Sequence, residues 1–165
     1  TLKREAYLYS LTSNGGSTGG ETGGFVLPDG FTVAASSFGY ENGVAVPSVT
    51  LSDGTELVFN QGTNTNAPKF YSAGGGCVRM YPGNTMTVKS SKTIKQIVIG
   101  CGTGTQGLGN ASGDVAANPG KVAVADTYLN ITGINSKETV ISDVSKVTGI
   151  ASQLYIKTLT FVYAE

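Results

Sequence analysis

The chain has 165 residues, a formal net charge of zero and a pI near 6.2, enough for one domain and without the basic surplus that nucleic-acid phosphates require. Charged residues make up only 13% against about 25% in an average globular domain, so Ser, Thr, Asn and Gly must supply the polar surface, as is common in exported all-β proteins. Histidine and tryptophan are absent, which removes Ser-His-Asp triads, Cys-His dyads and the commonest zinc ligand.

No apolar run reaches the ~18 residues needed to span a bilayer, so no membrane span is expected. The sequence starts at Thr1 without a signal-peptide pattern, which reads as a mature or excised fragment. Residues 1–11, TLKREAYLYSL, read as one strand, and 14–24, NGGSTGGETGG, as a flexible linker. Residues 1–24 are therefore expected to be a preceding domain's tail or a loosely tethered edge strand, with a β-sandwich module over 25–165.

Within that body the segments are short, β-branched and separated by turn residues. In VTLSDGTELVF, residues 49–59, Asp53-Gly54 between two alternating runs predicts a hairpin with a type I′ turn. Further strands are expected at Cys77–Tyr81, Thr85–Lys89, Thr93–Gly100, Lys121–Ala125, Tyr128–Thr132 and Leu154–Tyr163. In the last of these, Leu154, Ile156, Thr158, Thr160 and Val162 share one face, and Tyr155, Lys157, Leu159, Phe161 and Tyr163 the other. Residues 135–149 carry helix signals in Asn135, Glu138 and Gly149, but their β-branched content favours strand plus loop. Turns about 8 to 12 residues apart indicate an all-β fold, an antiparallel sandwich or barrel.

IVIGCGTGTQGLGN, residues 97–110, imitates a dinucleotide-binding fingerprint: an apolar strand, then Gly102, Gly104 and Gly107, with Asp126 about 20 residues on. That fingerprint needs a helix after its third glycine to hold the pyrophosphate. The following LGNASGDVAANPGKV has three more glycines, Pro119 and no 3.6-residue apolar stripe, so the segment reads as a loop. The carboxylates Glu41, Asp53, Glu56, Asp114, Asp126, Glu138 and Asp143 are scattered, and Asp29 and Asp53 precede glycines as turn formers. Asp114 and Asp126 flank the glycine-rich stretch, but no calcium-loop spacing supports a structural Ca²⁺ there, and no cofactor is expected. Asn110 and Asn130 begin glycosylation sequons, which matter only in a eukaryotic secretory host.

Cys77 and Cys101 form either one disulfide or two buried small apolar side chains, and sequence does not give the Cα separation that decides. Residues 68–88 gather Phe70, Tyr71, Arg79, Tyr81 and Asn84. Pointing outward, Arg79 would clamp a planar or hydroxyl-rich ligand beside Tyr81; pointing inward, it would bond loop carbonyls, the commoner role of a lone strand arginine. Sugar sites combine an aromatic face with polar donors in this way, although the lack of tryptophan weakens such a platform.

Over about residues 38–165 the chain resembles accessory β-sandwich modules of exported multidomain proteins from gut Bacteroides-type bacteria. The matching pieces are Ala67-Pro68-Lys69-Phe70-Tyr71, Val78-Arg79-Met80-Tyr81, Gly83-Asn84-Thr85-Met86-Thr87-Val88, Lys92-Thr93-Ile94 with Ile97-Val98, and Ile156-Lys157. The resemblance implies a jelly-roll, galactose-binding-like sandwich, non-catalytic and secreted or cell-surface. Its partners would be a glycan or cell-surface ligand and neighbouring domains of the same polypeptide. Similar modules tend to carry Trp-Thr-Gly near Tyr128–Gly133, where this chain has Tyr-Leu-Asn-Ile-Thr-Gly, so Tyr128 substitutes only in part. Cys77 stands where a small residue is more usual. The expected ligand-binding set is Tyr71, Arg79, Tyr81, Asn84 and Tyr128, in a carbohydrate-binding module. The alternative is a structural spacer or adhesion module without a small-molecule ligand; an enzyme ranks third.

Overall fold

A computed structural model describes residues 24–102 and 114–165. The strand expected at 1–11, nearly all of the linker, and most of the loop after Gly102 lie outside the described residues.

The strands, numbered in chain order, are β1 (Phe31–Ala34), β2 (Ser48–Thr50), β3 (Glu56–Asn60), β4 (Lys69–Tyr71), β5 (Cys77–Met80), β6 (Thr85–Gly100), β7 (Val115–Asn118), β8 (Lys121–Ala125), β9 (Tyr128–Thr132), β10 (Ser136–Asp143), β11 (Leu154–Ile156) and β12 (Thr158–Tyr163). The helical turns wholly within the described residues are short 3₁₀ segments, Ala35–Phe38, Ala73–Gly75 and Ile150–Ser152. All pairings are antiparallel, and the strands form a nine-stranded sheet and a three-stranded sheet ordered β11-β5-β4. The fold is an antiparallel β-sandwich of jelly-roll-like form.

β6 organises the large sheet. Its first part, through Lys89, lies between β3 and β10; its second, from Ile97, lies between β12 and β9. Sequence suggests two strands here, because Lys89-Ser90-Ser91-Lys92 interrupts the apolar pattern; the structure runs one strand through it with those residues outside the core. Met86, Val88 and Ile94 face the core at even positions, Ile97 and Ile99 at odd ones. The switch occurs where Val162 pairs with Gln96 but Tyr163 pairs with Ile94, leaving Lys95 as the extra residue of a bulge.

The segment Leu154–Tyr163 is not one strand. At Lys157 the chain leaves the small sheet for the large one, its N–H donating to the Gly100 carbonyl and its carbonyl accepting from the Ala35 N–H, each at 2.8 Å. Leu154 and Ile156 are buried before this break, Leu159 and Phe161 after it. An uninterrupted alternation of faces is thus split between two layers.

The hairpin over 49–59 forms, with a different turn. Val49 pairs with Leu57, the Gly54 N–H donates to the Leu51 carbonyl at 2.9 Å, and Gly54 has φ +86° while Asp53 is not in the positive-φ region. This is a type I turn closed by a left-handed glycine, with Asp53 Oδ1 accepting from the Thr55 N–H. Residues 135–149 form β10 and a loop, as their β-branched content implies; Asn135, at φ +46°, caps no helix.

Phe70, Val78, Met80, Leu154 and Ile156 of the small sheet share one hydrophobic cluster with Leu57, Met86, Val88, Ile97, Ile99, Leu129, Ile131, Ile141, Leu159 and Phe161 of the large sheet. One face of the small sheet is therefore spent on the core. The other carries the polar side chains of β4, β5 and β11.

Candidate functional site

Strand parity sets the outward face of the small sheet. Arg79 of β5 pairs with Lys69 of β4 on one side and Tyr155 of β11 on the other, while Tyr71 pairs with Cys77. Their neighbours Phe70, Val78 and Ile156 go inward, so Lys69, Tyr71, Cys77, Arg79 and Tyr155 go outward.

The Arg79 guanidinium carbon lies 4.1 Å from the Tyr71 ring centroid and 4.6 Å from that of Tyr155. This places the cation over two electron-rich ring faces. The Tyr71 and Tyr81 hydroxyls are hydrogen-bonded at 3.1 Å. Burial, reinforced by that bond, pushes the Tyr81 phenol well above its ordinary range, with the Arg79 charge pulling weakly the other way. Burial also raises Tyr155. Both phenols stay protonated at neutral pH and act as hydrogen-bond donors and acceptors.

Among the described residues two buried polar atoms of this face, Arg79 Nε and Tyr155 Oη, have no hydrogen-bond partner, nor has Gln153 Oε1 just before β11. Tyr155 is only 3% exposed. Arg79 is half-buried with Nε sealed, so its terminal nitrogens form the part of the guanidinium that meets solvent. Among the described residues the guanidinium makes no ion pair. Buried polar groups are nearly always satisfied, so the two on cross-strand neighbours Arg79 and Tyr155 stand out.

Of the sequence-predicted set, the fold brings together Tyr71, Arg79 and Tyr81. Asn84 lies behind them and serves the scaffold. It is 0% exposed; its Oδ1 accepts from the Tyr81 N–H at 2.8 Å, and its Nδ2 donates to the Gln61 and Asn66 carbonyls at 2.8 and 2.9 Å. With both ends of its amide committed, it offers a ligand nothing and instead fixes where Tyr81 stands. Tyr128 opens β9 in the large sheet, where its ring packs against Phe25 with centroids 5.4 Å apart. It is not on the small-sheet face.

Cys77 and Cys101 are both free and buried. Cys77 starts β5 in the small sheet, whereas Cys101 follows β6 in the large sheet and its N–H donates to the Thr127 carbonyl. They are two small apolar side chains, not a disulfide. Burial pushes the Cys101 thiol from about 9 up to about 12.

Sequence reasoning missed Tyr155 and the opposed Lys69. Alternation in LYIKTLTFVY puts Tyr155 opposite Leu154 and Ile156, but only the β11–β5 register places its ring beside Arg79. Asp126 Oδ2 accepts from the Phe25 N–H at 2.6 Å, and among the described residues no three Cys, Asp or Glu side chains converge where a metal ion could be held. No helix of the described residues is long and apolar enough to cross a membrane. No family model matches the chain. No curated protein matches it either.

Proposed function

We propose that this chain is a non-catalytic carbohydrate-binding module of an exported, surface-associated bacterial protein, with its ligand on the outward face of the small sheet. The observation that carries this reading is the Arg79 guanidinium, held between the Tyr71 and Tyr155 rings with no counter-ion among the described residues. Contact with the two rings restrains the guanidinium without using its terminal donors, so part of the cost of ordering that side chain is met before a ligand arrives. The linked Tyr71 and Tyr81 hydroxyls supply hydrogen bonds of the kind sugar hydroxyls exchange. The low charge content and the resemblance to accessory modules support the exported context.

Affinity electrophoresis and a glycan array with plant and mucin polysaccharides test the reading. Retardation on at least one glycan, lost in Tyr81→Ala, is the expected result. Folded protein that no glycan retards would overturn it in favour of a spacer module that contacts only neighbouring domains.

A further inference from the structure

Resting on that reading, we infer that the small-sheet face selects acidic sugars: the ligand presents a carboxylate to Arg79, with Lys69 as a second cation beside it. Lys69 and Arg79 are directly opposed cross-strand partners on one face. Like charges so placed repel, and an anion bound at that face would relieve the repulsion. Among the described residues no carboxylate pairs with either. Glu41, in the loop that bonds to β4 through Gly43, is exposed and joins neither cation. A third cation, Lys157, follows β11 and donates to the Gly74 carbonyl at 3.0 Å, just beyond the end of β4.

Zero net charge makes this concentration specific to the face and not a property of the whole surface. The guanidinium suits a carboxylate: it is a planar fork of donors, and its carbon lies over the Tyr71 and Tyr155 rings while its terminal nitrogens make no hydrogen bond or ion pair among the described residues. A neutral sugar would use the Tyr71–Tyr81 hydroxyls but leave both cations unpaired. An acidic one engages both features at once.

The test titrates the intact chain by calorimetry and by tyrosine emission, the dominant intrinsic fluorescence of a tryptophan-free chain. The ligands are a galacturonate oligosaccharide and a sialylated oligosaccharide, each with its methyl ester as the neutral counterpart. A charge-assisted bond predicts that one acid binds at least about tenfold tighter than its ester. Which acid does so separates the uronate source from the sialate source. R79K keeps the charge but loses the fork, so its affinity should fall about tenfold; K69Q, at a partly exposed position, should weaken binding severalfold while the protein stays folded. Equal affinity for acid and ester would overturn the acidic-sugar inference and leave the glycan-binding reading standing. Acid binding undiminished in both folded variants would also overturn it, and failure of every glycan to bind would overturn both readings.

Discussion

Replacing Asn84 with alanine tests whether this residue belongs to the scaffold or to the ligand site. The substitution removes three hydrogen bonds and strands the Tyr81 N–H and the Gln61 and Asn66 carbonyls around a fully buried position. At about 0.5–1.5 kcal/mol each, the loss is about 2–4 kcal/mol. For a chain of 165 residues this lowers Tm by about 5–15 °C. Differential scanning calorimetry with a parallel urea titration reads it directly. Asn84→Asp sharpens the test. Its carboxylate would face the Gln61 and Asn66 carbonyls, so burial favours the protonated form and raises the folded-state pKa above the unfolded value of about 3.9. Stability of that variant is then lost as pH rises from about 4, and its deficit relative to Asn84→Ala narrows on acidification. A Tm drop below about 2 °C in Asn84→Ala would refute the scaffold role.

Other substitutions separate the remaining claims. Gly62→Ala drives a Cβ into the Gly83 carbonyl at φ +58°, whereas Gly54→Ala at φ +86° meets nothing within 4 Å. Urea unfolding should show about 1 kcal/mol lost at Gly54 and at least twice that at Gly62, and equal losses would contradict the contact. Tyr155→Phe removes a buried hydroxyl that has no partner among the described residues; its Tm should stay level or rise, and a fall of several degrees would show that the hydroxyl is satisfied. Thiol titration of the unfolded, unreduced protein should find two reactive groups, with neither reacting quickly in the folded state. Finding none on unfolding would establish a disulfide. Because the folded Cys101 thiol titrates near 12 and the unfolded one near 9, stability falls as pH rises through that window. The slope reaches at most about 1.4 kcal/mol per pH unit, and Cys101→Ala should remove that component from chemical-denaturation curves.

Much of the fold was legible along the chain. Asp53-Gly54 announced a hairpin, and the high β-branched content of 135–149 outweighed its helix signals in favour of β10. The subtler details depended on distant residues. Whether the turn was type I or I′ depended on Asp53, whose backbone conformation is fixed where Leu51 and Thr55 meet. The join between the two halves of β6 was hidden because Lys89–Lys92 look like a loop, and continuity shows only in the pairings on either side, Lys89 with Glu56 and Glu138 and Ile94 with Ser136 and Tyr163. Arg79, Tyr71 and Tyr81 were legible as a cluster of suitable side chains. Asn84 looked like a ligand because an asparagine in a turn reads the same whether its amide faces solvent or loop carbonyls.

The fold class is a local property of the chain: β-branched alternation and turn residues make it all-β, and the absence of histidine and tryptophan narrows its chemistry. Long-range pairing sets which alternating positions face the core, because the bulge at Lys95 and the break at Lys157 each reset that parity. It also decided that Tyr155 and Lys69 flank Arg79. Cross-strand register joins Arg79 to residues 10 and 76 positions away, through backbone hydrogen bonds whose partners no local pattern names.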